Sequence, residues 1–187
     1  MRRICYSVAM SLDGFIAGPN GEADWILMDP DIDFAEIFSR FDTLLMGRKT
    51  FEFTGSGSGG GSGPFSGFKV VVVSRTLDPR KHPKVTILGA DVAAQLKALR
   101  DQPGKDIWLF GGGELFRSLI DLGLVDSVSV AVIPVLLGQG IPLLPVTGTR
   151  SSLTLRKHQV YPKTGTVALE YDITPRRTPS RRRSSKK

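Results

Sequence analysis

The sequence predicts an α/β domain whose central mixed, mostly parallel β-sheet is flanked by helices and closes with antiparallel strands. Two patterns carry that expectation. Up to residue 122, short apolar, often β-branched runs alternate with helix-period segments. From residue 127 to 173, three strand-like segments follow one another with no helix between them. Composition agrees, since 187 residues with 41% hydrophobic and 23% charged side chains describe one globular domain rather than a disordered or collagen-like chain.

The elements follow in order. Arg3–Ala9 reads as the first strand. Arg2 and Arg3 precede the apolar stretch Ile4–Leu12, but Ser7, Ser11 and the turn Asp13-Gly14 interrupt it, so a strand fits better than a removable leader. Residues 13–21 are dense in turn formers. Phe34, Ile37, Phe38 and Phe41 fall at i, i+3, i+4 and i+7, which predicts a helix over Phe34–Phe41, with Asp29-Pro30-Asp31 as its start signal. Thr43–Met46 is a short strand halted by Gly47. Lys69–Val73 is β-branched at nearly every position and reads as a strand buried on both faces. Val85–Leu88 is another strand, and Asp91–Arg100 a helix with Val92, Leu96 and Leu99 on one side. Asp106–Phe110 is a strand leading through Gly111-Gly112-Gly113 into a helix over Glu114–Leu122. Ser127–Val135, Leu153–Val160 and Thr166–Ile173 complete the sheet.

Two segments are not expected to form regular structure. Gly55–Gly63 contains only glycine and serine and reads as a flexible loop. Residues 175–187 carry seven basic groups and no acid, so the organisation is a domain over 1–174 and a disordered basic tail over 175–187. The formal charge of +7 (25 − 18) belongs to that tail, because removing it leaves 18 positive and 18 negative groups. The body is therefore not a basic nucleic-acid binder, and the expected contact with polyanions is weak, non-specific and confined to the tail. Cys5 alone forms no intramolecular disulfide and reads as a small buried strand residue. The longest later apolar stretch, Val128–Leu137, is half the length of a spanning helix, which points to a soluble, cytoplasmic protein without membrane contact.

Several chemistries find no support. His82 and His158 have no second histidine or cysteine at ligand spacing, so no metal site is expected. Neither a G-x-S-x-G elbow nor a phosphate-binding G-x-x-x-x-G-K-[ST] loop occurs. What does recur is a type of loop after strands: Gly47-Arg48-Lys49-Thr50, Ser74-Arg75-Thr76, and Gly111-Gly112-Gly113 opening a helix. Ligands bind at strand ends in parallel sheets, where glycines let backbone N–H groups approach an anion and a helix N-terminus favours its charge. Arginine, lysine and hydroxyl groups complement phosphates. Each loop alone also has a plain reading, as a helix start or a polar strand exit. Together they describe a site for a ligand with several phosphates.

Five ordered motifs also resemble a known family. They are Met10-Ser11-Leu12-Asp13-Gly14-Phe15-Ile16-Ala17, Leu45–Glu52, Val73-Ser74-Arg75-Thr76, Phe110–Phe116 and Pro134–Leu144. In this order they resemble the reductase domain of bacterial riboflavin biosynthesis and its single-domain relatives, within the dihydrofolate-reductase-like fold, over residues 3–173. The resemblance implies NADPH as cofactor. It puts Gly47, Arg48, Lys49 and Thr50 along the pyrophosphate and adenosine side, and Ser74 and Arg75 near the 2′-phosphate. Gly111, Gly112, Gly113, Glu114 and Leu115 would form the second pyrophosphate wall, with Ala9, Ile16 and Ala17 close to the nicotinamide. It implies a homodimer and a small heterocyclic substrate, pterin- or ribosylamino-pyrimidine-like. A dihydrofolate reductase proper and a noncatalytic nucleotide-binding protein of the same fold are the alternatives.

Hydride transfer suits a site without metal or triad, because the nicotinamide carries the hard chemistry. Reduction also consumes a proton, so an acid near the substrate is useful. Candidates are Asp13 in the first loop and Asp31 or Asp33 at the start of the Phe34–Phe41 helix. On a helical wheel the last two lie on opposite flanks of the apolar face, so spacing does not choose between them. No H-x-E or P-C-x-x-C zinc pattern of a deaminase is present. The Gly55–Gly63 loop could serve as a lid.

Overall fold

The computed structural model describes residues 1–55, 65–146 and 150–174. Its elements are β1 (Ile4–Ser11), β2 (Phe15–Ala17), α1 (Phe34–Ser39), β3 (Phe41–Gly47), α2 (Arg48–Phe53), β4 (Lys69–Val73) and β5 (Val85–Leu88). Then come α3 (Val92–Asp101), β6 (Asp106–Gly111), α4 (Gly113–Asp121), β7 (Ser127–Ile133), β8 (Ile141–Pro142), β9 (Leu153–Tyr161) and β10 (Thr166–Ile173). The main sheet has eight strands in the order β5-β4-β3-β6-β1-β7-β10-β9. Pairing is parallel from β5 through to β7, and antiparallel from β7 to β10 and from β10 to β9. β2 and β8 form a small separate sheet.

Alternation along the strands divides the core into two layers. One face carries Ile4, Tyr6, Leu45, Leu109 and Val130, covered by Leu96 of α3 and by Leu115, Phe116 and Leu119 of α4. The other carries Leu44, Met46 and Trp108, covered by Phe51 of α2 and by Ile37 and Phe38 of α1. Val71 enters the first layer and Val72 the second, so β4 is buried on both faces. Each fully buried leucine contributes about 1.5–3 kcal/mol of transfer free energy. Among the described residues, no helix is long and apolar enough to cross a membrane.

The largest departure from sequence expectation is the helix over Phe34–Phe41. It stops at Ser39, and Phe41 instead begins β3, where it pairs with Asp106. Both arrangements bury Phe41, which packs against Trp108 with ring centroids 5.4 Å apart, so the helical spacing was met by a different local structure. The helix is capped by Asp33, whose carboxylate accepts the Glu36 N–H at 2.8 Å, rather than started by Asp29-Pro30-Asp31. Asp31 and Asp33 consequently lie before the helix, and the helical-wheel comparison does not apply to them. β7 ends at Ile133 and not at Val135, as Pro134 has no N–H for a ladder. α2, β2 and β8 are additional elements, the two strands only three and two residues long. Apart from Gly55, the glycine-serine loop lies outside the described residues, as does the basic tail.

Candidate functional site

A cleft of about 1200 Å³ opens along the α1–α2 face, from the C-terminal ends of β1, β3 and β6 toward β7 and β10. It forms where β1 leaves the sheet for β2 while β3 and β6 turn into α2 and α4. The turns after β3 and β6 touch each other because Met46 and Gly111 are register partners. A Cβ placed on Gly111 would stand 3.3 Å from Thr50 Cγ2, and one on Gly112 would stand 3.4 Å from Thr50 Oγ1. Gly112 has φ +93°, a conformation that side chains rarely adopt, so glycine is required there. Gly113 is pressed against the β8 segment, where a Cβ would meet the Pro142 carbonyl oxygen at 2.8 Å.

Ala9, Ile16, Ala17, Lys49, Thr50, Gly111 and Gly112 line this cleft together. α4 starts at Gly113 with no side-chain cap, so its first-turn N–H groups are left to whatever lies before it. With the Thr50 hydroxyl beside the glycine turn and the exposed Lys49, this donor set fits a polyphosphate. Other residues named from the sequence lie off the cleft lining. Gly47 is the extended N-cap of α2, and Arg48 pairs with Glu52 one turn on at 2.7 Å. The Ser74 hydroxyl accepts the Thr76 and Leu77 N–H groups at 3.2 and 3.0 Å and closes its own turn, while Arg75 is exposed beside it. Glu114 pairs with Arg117 at 3.4 Å, and the Leu115 side chain enters the core.

The three acids have different surroundings. Asp13 does not line the cleft. Its carboxylate takes the Ser11 hydroxyl at 2.6 Å, the Gly138 N–H at 2.7 Å and the Leu137 N–H at 3.1 Å, which fastens the β1 exit to the turn after β7. The Ser11 hydrogen bond, opposed by burial and helped by those N–H groups, holds the Asp13 carboxyl below its ordinary value. Asp31 and Asp33 line the cleft rim. Asp31 bonds the Lys163 ammonium at 2.7 Å, and Asp33 caps α1.

Of the floor and far wall, only Ala9 is named as a site residue from the sequence. The floor is formed by alternate residues of β1 (Cys5, Ser7, Ala9) and β7 (Ser127, Ser129, Ala131), continuing to Ala168 and Glu170 of β10. The signal was available: in both strands the intervening positions are large and apolar, whereas these are small. Trp108 and Phe110 form the wall, and the Trp108 indole N–H donates to the Ser7 carbonyl at 2.9 Å. Cys5 is buried, and burial pushes its thiol up against the opposing Ser127 hydrogen bond. Arg40 reaches from the end of α1 to Glu170 at 3.0 Å.

The chain matches the family described as RibD C-terminal domain over residues 2–62 and 65–167. The uncharacterized protein YyaP of Bacillus subtilis (strain 168) is 36% identical over 179 residues, covering 91% of this chain and 94% of the relative. A putative riboflavin biosynthesis protein from Shewanella sp. PV-4 is similar in structure, with a TM-score of 0.78 and 25% identity over 92% of this chain and 99% of that one. The dihydrofolate reductase of Enterococcus faecalis, solved with NADP(H) and a second ligand, has a TM-score of 0.65 and 19% identity over 94% and 97% of the two chains. The fold is thus dihydrofolate-reductase-like.

Proposed function

We propose, from the premise that this chain belongs to the RibD C-terminal domain family, that it is an NADPH-dependent reductase acting on a small heterocycle, pterin- or ribosylamino-pyrimidine-like. The observation that supports it is the convergence of Lys49, Thr50, Gly111 and Gly112 on one end of a cleft whose adjoining bay is lined by Ala9, Ile16 and Ala17. When bound, the nicotinamide coenzyme would supply the hydride.

The chain's own part is binding, orientation and exclusion of water. Lys49 and the Thr50 hydroxyl would hold the pyrophosphate, and the glycine turn before α4 would bring backbone N–H groups to it. Arg75, exposed at the end of β4, is assigned to the 2′-phosphate. Ala9, Ile16 and Ala17 make this part of the lining apolar, which suits a flat ring and a dry reacting centre. Asp31 and Asp33 on the rim are the proton donors proposed for the reduced substrate. Asp13 acts by holding the β1 exit in place. The protein is further proposed to be a cytoplasmic homodimer. The outer strand β9 offers an apolar surface for a second copy, with Leu153, Leu155 and Val160 exposed by 46%, 51% and 57%.

The test is NADPH oxidation, followed optically, with dihydrofolate, a reduced pterin and a ribosylamino-pyrimidine phosphate offered in turn. Turnover with a heterocycle supports the reading. NADPH binding without turnover on any of them supports a noncatalytic nucleotide-binding protein.

A further inference from the structure

We infer that Ser7, Ser129 and Glu170 form the part of the cleft that selects the substrate, a row of hydrogen-bonding groups matched to a planar nitrogen heterocycle with an amino–oxo edge. The inference rests on the reductase reading and sharpens it, by assigning the atoms that read the ring.

Register makes the row. Ser7 is the partner of Ser129, and Ser129 the partner of Glu170, so the three side chains stand in line across β1, β7 and β10. Adjacent strands are about 4.8 Å apart, so the row spans about 10 Å, the scale of a bicyclic ring with its substituents. The next row toward the cofactor bay is Ala9, Ala131 and Ala168, which raises nothing taller than a methyl group. A flat ring can therefore lie on the alanines with one edge against the serines and the carboxylate.

The three groups have capacity to spare. Both serines are half-buried, and among the described residues neither hydroxyl has a hydrogen-bond partner, whereas the hydroxyls of Ser11 and Ser74 are bonded within the protein. The Glu170 side chain is 22% exposed. Its Oε1 accepts from Arg40 at 3.0 Å, leaving Oε2 as an acceptor. Lys157 stands opposite Glu170 on β9. A carboxylate takes amino and ring N–H donors, and each hydroxyl can either donate to an oxo group or accept from an N–H. A hydrocarbon edge would leave three polar groups unsatisfied.

The experiment measures calorimetric binding of pterin and of quinoxaline, a bicycle of similar shape lacking the amino and oxo groups, to the full chain. The variants are Ser7→Ala with Ser129→Ala, and Glu170→Gln, and NADPH affinity is measured on the same samples. We expect pterin to bind the wild type at least about tenfold more tightly than quinoxaline, and each variant to lose about tenfold or more for pterin. Equal binding of the two rings, wild-type pterin affinity in both variants, or no pterin binding at all overturns the inference. The reductase reading fails separately: if NADPH does not bind while pterin binding follows the row, the ligand site stands and the reductase does not.

Discussion

Asp29 Oδ2 accepts both the backbone N–H and the hydroxyl of Thr164, at 3.0 and 2.9 Å, across 135 positions of sequence. Its other oxygen accepts the Asp31 N–H at 2.9 Å, and the residue is 1% exposed. One buried carboxylate therefore ties the cleft rim that carries Ile26, Leu27, Met28 and Asp31 to the β9–β10 turn. Burial alone would raise its pKa, but the hydrogen bonds outweigh it, so the group is held below its ordinary value and stays ionised.

Removing that tie should loosen the rim before it affects the sheet. For Asp29→Ala, amide exchange across residues 18–33 should be at least about fivefold faster, while the β1, β3 and β6 amides keep wild-type protection. Exchange that rises equally in the central strands would show that Asp29 supports the whole fold.

The Asp13 turn makes stability pH-dependent in a definite direction. A carboxyl whose folded pKa is lowered binds fewer protons folded than unfolded. Its contribution is thus fully present above the unfolded value of about 3.9 and is lost as pH falls through the folded value. Asp13→Asn should unfold at lower urea than wild type by a constant margin from about pH 8 to 5, and that margin should close below about pH 4. Urea midpoints across this range check it.

Arg75 follows β4, outside the cleft lining, and is exposed. If its partner is a 2′-phosphate, Arg75→Ala should weaken NADPH by roughly tenfold to a hundredfold and NADH by less than about threefold. Equal losses would remove the assignment.

Two substitutions test the packing beneath the site. Tyr6 is fully buried and stacked on Phe116 with ring centroids 3.8 Å apart, yet among the described residues its hydroxyl has no partner. Tyr6→Phe should stabilise the protein by about 1 kcal/mol in denaturant unfolding. Gly112→Ala forces a side chain to φ +93° and should cost about 1–3 kcal/mol while weakening NADPH.

Much of this architecture was legible in the residues, and the exceptions have physical reasons. Lys69–Val73 and Thr166–Ile173 form strands with the boundaries their β-branched or alternating patterns suggest. Phe41 misled because one aromatic residue satisfies helix spacing and the opening of a strand equally well. β2 and β8 are too short to carry a pattern, and are located instead by long-range contacts such as the Leu143 N–H to Gly14 carbonyl bond at 2.9 Å. Lys49, Thr50 and the glycine turn could be named from the sequence because anion chemistry leaves a local composition, and they share the cleft lining. Glu170 was not, since its significance depends on Arg40, 130 positions away, and on strand neighbours that only the sheet order supplies.

The most direct measurement is calorimetric titration of the purified, folded full chain with NADPH. Saturable binding at one coenzyme per chain is expected, weakened when Lys49 and Thr50 are both replaced by alanine. A folded protein that takes up neither NADPH nor NADH would contradict it.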